Sequence, residues 1–391
     1  MSQRLAHIFN PTCEMEVANG TLSYTPPAHI LKFVQDLEML PHIYASERDC
    51  VLLQQMPDHV FTDRLQAAGF ELPSFRLMDG VEHLSADFAP SPWGWSPAVA
   101  HRLKALGARW DEGLKPYFSR EFALKVIHQL SERNLPRIIQ PSHFAHYVTS
   151  LGEVEQLLAQ WGKVVLKAPY SSSGRGLQML RANHLNVNIV NKTRSLIAQQ
   201  GGLMLEPLLD NIYDFAYEFK VQNGEVFFVG FSSFMTNDKG QYLGHQVPFD
   251  VHNLPEEAYH LWDIGVINAA LDELLIVLQN SGLPTYFEGY LGVDAMIFRD
   301  AEQSVRLQPC VEINLRYTMG IVALHLEKHI APDRSAEFRL LSNPPVALPI
   351  LDMDLQNKHP LLMEGRKIRS GYLPLTPPQE EAMSMAYLLV H

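Results

Sequence analysis

The chain has 391 residues, 47% hydrophobic and 19% charged, with a formal net charge of −12 from 31 basic and 43 acidic side chains. That length exceeds one ordinary core, so two or three packed units are expected, and the balance is that of a folded protein. The acidic excess argues against nucleic-acid binding, which needs a basic face.

Three scattered cysteines (Cys13, Cys50 and Cys310) form no CxxC pair, which excludes a disulfide framework or a zinc cluster by pattern. The opening MSQRLAHIFNPTCEMEVANG lacks an apolar leader core, and no run of about 18 apolar residues occurs, so a cytoplasmic protein without membrane contact is expected. His325 and His329 are four apart without the glutamate of a HExxH pair, and a partly exposed helix accounts for them.

In chain order, SYTPPAHILKFVQDLEML reads as a helix capped by Thr25, with prolines at its first positions. VLLQQ (51–55) is a strand. TDRLQAAGFELPSF is a helix stopped at Gly69 and followed by a strand, and SPAVAHRLKALG repeats the pattern to Gly107. This alternation predicts an α/β layer with a parallel sheet. A second unit opens with SREFALKVIHQLSERNLP, a helix with Phe122, Val126, Ile127 and Leu130 on one side. LGEVEQLLAQWG gives another helix before the strand VVLKA. After Gly201–Gly202, LMLEPLL, FAYEFKV and EVFFVGFSSFM read as antiparallel strands, with NDKG (237–240) as a hairpin turn. EEAYHLWDIGVINAALDELLIVLQNSG is the longest helix signal. GVDAMIF and SVRLQPCVEINLR are strands, and the last 60 residues show no clear motif.

Two stretches carry chemistry. KAPYSSSGRGL (167–177) follows a strand with small hydroxyls and two glycines, whose backbone N–H groups can converge on an anion beside Lys167. A serine-rich hairpin is the plain alternative. In VEINLR (311–316), strict alternation puts Glu312, Asn314 and Arg316 on one face. A carboxylate and an amide oxygen two residues apart suit a hard cation, and the arginine suits a phosphate or oxyanion. Asp294 lies among apolar residues in YLGVDAMIF and, as a buried carboxylate, demands a cation or a strong partner. Either Mg²⁺ shared with Glu312 and Asn314, or a pairing with Arg316 or a backbone donor, would meet that demand. GRGLQML fits neither a Walker loop nor a dinucleotide fingerprint.

Taken in order, KAPYSSSGRGL, LMLEPLLDNIYDFAYEF, GYLGVDAMIF and VEINLRYTMG resemble the ATP-grasp superfamily from about Ser119 to Leu326. The resemblance implies an α/β (α+β) fold with a Rossmann-like pre-ATP-grasp domain at 1–115. Subdomains at 116–205 and 206–330 would form the ATP-grasp fold, and 331–391 would be an extension packed on the body. It implies ATP and Mg²⁺ as cofactors. Lys167 would contact the phosphates, Ser171, Ser172, Ser173, Gly174, Arg175 and Gly176 would form a flap over them, and Glu206 would begin the adenine hinge. Because Pro207 has no N–H, the base would be read by the Glu206 carbonyl and the Leu208 amide. Asp214 would hold the ribose, and the alternative is an exposed strand-start aspartate. Asp294, Glu312 and Asn314 match the metal ligands, and Arg316 the arginine that follows them.

The family's second phosphate-binding lysine is replaced by Arg120, with Lys125 as a further candidate. No arginine stands among Leu291, Gly292 and Val293, so no D-alanine-like substrate is implied. The activity implied is a ligase that activates a carboxylate as an acylphosphate for an amine or thiol. A phosphotransferase or a non-catalytic nucleotide-binding module would be the alternatives. The partners would be a small carboxylate and an amine, in a pocket that His245 and Lys239 could reach, and the family often forms homodimers.

Overall fold

The computed structural model describes residues 3–84, 87–171, 178–181, 186–236 and 242–391. In chain order its strands are β1 (Arg4–Ile8), β2 (Cys50–Leu53), β3 (Ser74–Leu77), β4 (Phe88–Pro92), β5 (His146–Val148), β6 (Lys163–Lys167), β7 (Gln178–Arg181), β8 (Leu203–Pro207) and β9 (Asp210–Gln222). They continue as β10 (Glu225–Thr236), β11 (Tyr242–Val247), β12 (Gly289–Arg299), β13 (Val305–Asn314), β14 (Ala336–Ser342), β15 (Leu362–Glu364), β16 (Lys367–Pro374) and β17 (Ser384–Val390). The chain divides into two compact units: Met1–Trp110 with Ser232–Phe249 and Arg316–His391, and Asp111–Phe231 with Asp250–Leu315.

In the first unit, β1 to β4 form a parallel sheet in the order β3-β2-β1-β4. Successive strand residues point to opposite faces. Ala6, Ile8, Cys50 and Leu52 accordingly pack with Val99 and Leu103, while Val51 and Leu53 join a larger core with Leu37, Leu40 and Phe61. Burial on both faces is why these strands read as continuous apolar runs. The motif-poor C-terminal segment contributes β14, β17, β16 and β15, which continue from β11 as antiparallel neighbours.

The second unit has two antiparallel layers. One is β5-β8-β6-β7. Over it packs the helix Leu151–Trp161, which starts in a capping box between Ser150 and Glu153 and buries Val154, Leu157 and Leu158. The other runs β13-β12-β9-β10, with β10 belonging to this unit as far as Phe231. Phe215 and Tyr217 of β9 turn to the helices: Phe215 packs on Trp262 at 4.8 Å, and the Tyr217 hydroxyl donates to the Ile267 carbonyl.

Four local readings are corrected. The first long helix begins at Ala28, not after Thr25, because Pro27 excludes helical geometry at Pro26 and is itself extended at ψ 146°. LMLEPLL forms β8, which joins β5 and β6 rather than the strands that follow it. The longest helix signal is two helices, Glu256–Asp263 and Val266–Asn280, separated by Gly265 at φ 77°. That left-handed turn suits glycine and ends the first helix. His329 is buried rather than partly exposed, its ring stacked on Phe70 at 3.8 Å. The hairpin NDKG lies outside the described residues. Among the described residues no helix is long and apolar enough to cross a membrane.

Candidate nucleotide and cation site

Strand β6 delivers Lys167 at its last position, buried, with its ammonium in direct contact with the Glu206 carboxylate on β8. In the β6–β8 ladder Glu206 stands opposite Val165 and Lys167 opposite Met204, so the two charges meet on a diagonal. The Leu208 amide, expected to face the base, donates instead to the Lys163 carbonyl at 3.1 Å and extends this ladder. Ser172, Ser173, Gly174, Arg175 and Gly176 lie outside the described residues, as does Lys239; Ser171 is described.

Ser171 leads to Arg120. This residue opens the helix Arg120–Ser131, whose N-cap is Ser119. Its backbone N–H donates to the Pro169 carbonyl at 3.0 Å. Its Nε donates to the Ala168 carbonyl at 3.1 Å and its Nη2 to the Ser171 hydroxyl at 3.2 Å. Its Nη1 lies 2.6 Å from Oε2 of Glu312. One buried guanidinium therefore joins the base of the serine loop to a carboxylate on β13. Lys125 is exposed on the same helix.

Strands β9, β12 and β13 set out the acidic residues in rows, because directly opposed residues share a face. Asp294 opposes both Glu312 and Ala216; Gly292 opposes Asn314 and Glu218; Met296 opposes Gln308 and Asp214. Asp214, Glu218, Asp294, Glu312, Asn314 and Gln308 thus line one side of the sheet, and the Asn314 amide donates to Asp294 Oδ2 at 3.1 Å. Asp214 is half-buried within β9 and accepts from Asn211 at 2.7 Å. Burial holds its carboxyl above the ordinary value, opposed by that hydrogen bond and by the nearby Lys167 charge. The Cys310 thiol is pushed well up by burial and further by the Asp294 and Glu312 carboxylates, which keeps it protonated and a poor nucleophile.

Sequence reading did not single out Glu218 or Gln308. Glu218 shares the parity of Asp214 in DFAYEF and was legible by alternation. Gln308 shares the parity of Glu312 and Asn314 on β13 and was legible in the same way.

Arg316 departs from the expected alternation. Strand β13 ends at Asn314, and Arg316 belongs to the first unit, where its Nε donates to buried Glu14 at 2.5 Å and its Nη1 to the Tyr317 carbonyl at 3.2 Å. A strongly held carboxylate competes for this guanidinium, so the residue does not continue the strand's polar face. His245, also in the first unit, is buried against the Tyr242 hydroxyl at 2.6 Å, and burial lowers its pKa to about 3.

The donor set fits a hard divalent cation: two carboxylates and an amide oxygen on adjacent rows, with the Asn314 nitrogen turned to Asp294 so that its oxygen is the remaining donor atom. Among the described residues no group of three His, Cys, Asp or Glu side chains is arranged to hold a metal ion, so Asn314 is needed to complete the set.

This is the fold of the ATP-grasp ligases. The chain is similar over 100% of its length to N5-carboxyaminoimidazole synthetase from Staphylococcus aureus complexed with ADP, at 10% identity and a TM-score of 0.50, covering 94% of that chain. It is similar in the same way to an ADP complex of N5-carboxyaminoimidazole ribonucleotide synthetase, at 11% identity and a TM-score of 0.50, covering 92% of that chain. No protein-family model and no curated protein matches the sequence.

Proposed function

We propose that the chain is an ATP- and Mg²⁺-dependent ligase that joins a carboxylate to an amine. The observation that carries this reading is the Arg120 bridge: one guanidinium links the serine loop behind Lys167 to Glu312 on the oxygen-rich face, within a single unit. Cationic groups beside a cation-binding face are what a polyphosphate requires.

In this proposal Lys167, Arg120 and the loop 171–176 hold the phosphates, Asp214 holds the ribose hydroxyls, and the Glu206 carbonyl faces the base. The Leu208 amide would have to leave Lys163 to take part. Asp294, Glu312 and Asn314 would hold Mg²⁺, which neutralises phosphate charge when bound. The substrate carboxylate attacks the γ-phosphorus, the bond to ADP breaks, and an acylphosphate forms. An amine then adds to the acyl carbon, inorganic phosphate leaves, and the amine loses a proton. Arg316 would take an oxyanion role only by exchanging Glu14 for the substrate. Catalysis here is positioning and electrostatics, and the protonated Cys310 is not used.

An ADP-release screen over amino acids and small carboxylates, with mass analysis of products, tests the proposal. A product equal to two substrates less one water is expected. A product carrying an added phosphoryl group on a hydroxyl would replace the ligase reading with a phosphotransferase.

A further inference from the structure

Arg120 makes two kinds of contact that a simple structural role would not combine. Its Nε and Nη2 are satisfied by Ala168 and Ser171. Its Nη1, although 2.6 Å from Glu312 Oε2, is a buried nitrogen with no hydrogen-bond partner. The attraction to Glu312 is therefore that of charge without a well-directed bond. A buried N–H donor left without an acceptor is costly. A guanidinium is also a planar fork matched to phosphate oxygens, so a phosphate group could satisfy the Nη1 donors that Glu312 leaves unmet.

The same carboxylate is needed elsewhere. Glu312 opposes Asp294 across β12–β13, and a divalent cation held there would lie close to the Arg120 charge. Arginine and cation compete for one group, and with no polyphosphate present the arginine is already in place.

We propose that Arg120 is an internal counter-ion that occupies Glu312 until a polyphosphate draws the guanidinium away, so that the Asp294–Glu312–Asn314 face takes up a divalent cation together with nucleotide and not before it. This rests on the nucleotide-site reading above and adds an order of binding to it. Arg120 is thus a positioning residue for the cation as well as a phosphate ligand.

The test is a titration of the full chain with Mn²⁺, followed by electron paramagnetic resonance of the free ion, with and without ADP and corrected for the Mn²⁺–ADP complex in solution. Wild-type protein is expected to bind Mn²⁺ weakly alone and tightly with ADP. Arg120→Gln is expected to bind Mn²⁺ alone on the order of tenfold more tightly, because a like charge is gone, and ADP more weakly. Arg120→Lys keeps the charge and is expected to stay near wild type for Mn²⁺ alone. A gain in metal affinity is not what damage to the fold would give, and thermal melting verifies that each variant is folded.

Tight Mn²⁺ binding by wild type without ADP overturns the inference, a result that needs no variant. Unchanged or weaker Mn²⁺ affinity in folded Arg120→Gln overturns it too. Either failure leaves the metal site standing if Glu312→Gln loses Mn²⁺ in the presence of ADP. If Glu312→Gln binds Mn²⁺ with ADP as wild type does, the metal-site reading itself falls and the inference with it.

Discussion

The ammonium of Lys167 and the carboxylate of Glu206 meet across the β6–β8 ladder, one diagonal step apart, with the lysine buried at the end of its strand. A buried ammonium needs a counter-charge, and Glu206 supplies it before any phosphate does. Removing the lysine charge while keeping its stem isolates its part in turnover. Lys167→Met is expected to lower ADP-forming turnover at saturating ATP by about 10²-fold or more. A loss of only about threefold, less than 1 kcal/mol of barrier, would remove Lys167 from the phosphates.

Asp214 offers a test in which stability and binding move in opposite directions. Its folded-state pKa lies above the ordinary value because of burial, against the pull of Asn211 and Lys167. The folded protein therefore binds the proton more firmly than the unfolded chain. Stability from this group falls as pH rises through the interval between the two values and stays reduced at neutral pH. Asp214→Asn removes that cost. Its melting temperature should exceed wild type at pH 7, and the gain should vanish at pH values below the ordinary aspartate range. Nucleotide affinity, read by calorimetry, should fall in the same variant if Asp214 holds the ribose; unchanged affinity would leave it a structural residue.

The first unit carries an opposite dependence. His42 is fully buried with Nε2 3.0 Å from the Leu375 carbonyl, and burial lowers its pKa to about 4. His329, stacked on Phe70, is lowered to about 3 by burial and by the positive groups of Lys328, His42, His325 and Lys367. Both bind protons more weakly folded than unfolded. The stability they contribute is complete above the ordinary histidine value of 6.5 and is lost as pH falls, through about 4 for His42 and about 3 for His329. For His42 the full loss is on the order of 3 kcal/mol. Unfolding by urea should therefore become easier between pH 6.5 and 4, and His42→Gln should flatten that slope. A slope unchanged by the substitution would mean that other groups carry the acid sensitivity.

What the sequence made legible was local. Ser119 at the head of Arg120–Ser131, the alternation that pairs Glu312 with Asn314, and the strand before Lys167 depend on neighbours a few residues away. Each can be read from spacing. What was not legible depends on partners distant along the chain. Leu208 gives its amide to Lys163, and Arg316 reaches Glu14, 302 residues away. The motif-free C-terminal segment becomes β14 to β17 only because β11 offers an edge to pair with. Gly265 was visible, but a glycine within an apolar helical pattern does not itself say whether the helix passes through it or stops. Arg120 was identified by position, while its bond to the serine loop and its hold on Glu312 required the fold.

Gly94 provides a last test, of how Arg316 is held. It follows β4 and Trp93, and the Asn10 side chain grips both its carbonyl, at 2.7 Å, and its amide, at 3.2 Å. A Cβ at this position would lie 2.3 Å from Cys13 Sγ, 2.9 Å from Cys13 Cβ and 3.0 Å from Arg316 Cβ. Two of these distances are shorter than real carbon contacts allow, so Cys13 or the backbone must move. Cys13 in turn donates from Sγ to Glu14 Oε2 at 3.1 Å, and Glu14 is the carboxylate that holds Arg316. Gly94→Ala should therefore strain this buried cluster and cost about 1–3 kcal/mol by overpacking, measured as a lowered urea midpoint. Cys13→Ala deletes the sulfur but keeps the Cβ, so the double variant should recover part of the loss and not all of it. Equal losses in the single glycine variant and the double variant would show that the sulfur is not the obstacle, and that Gly94 is required by its backbone neighbours instead.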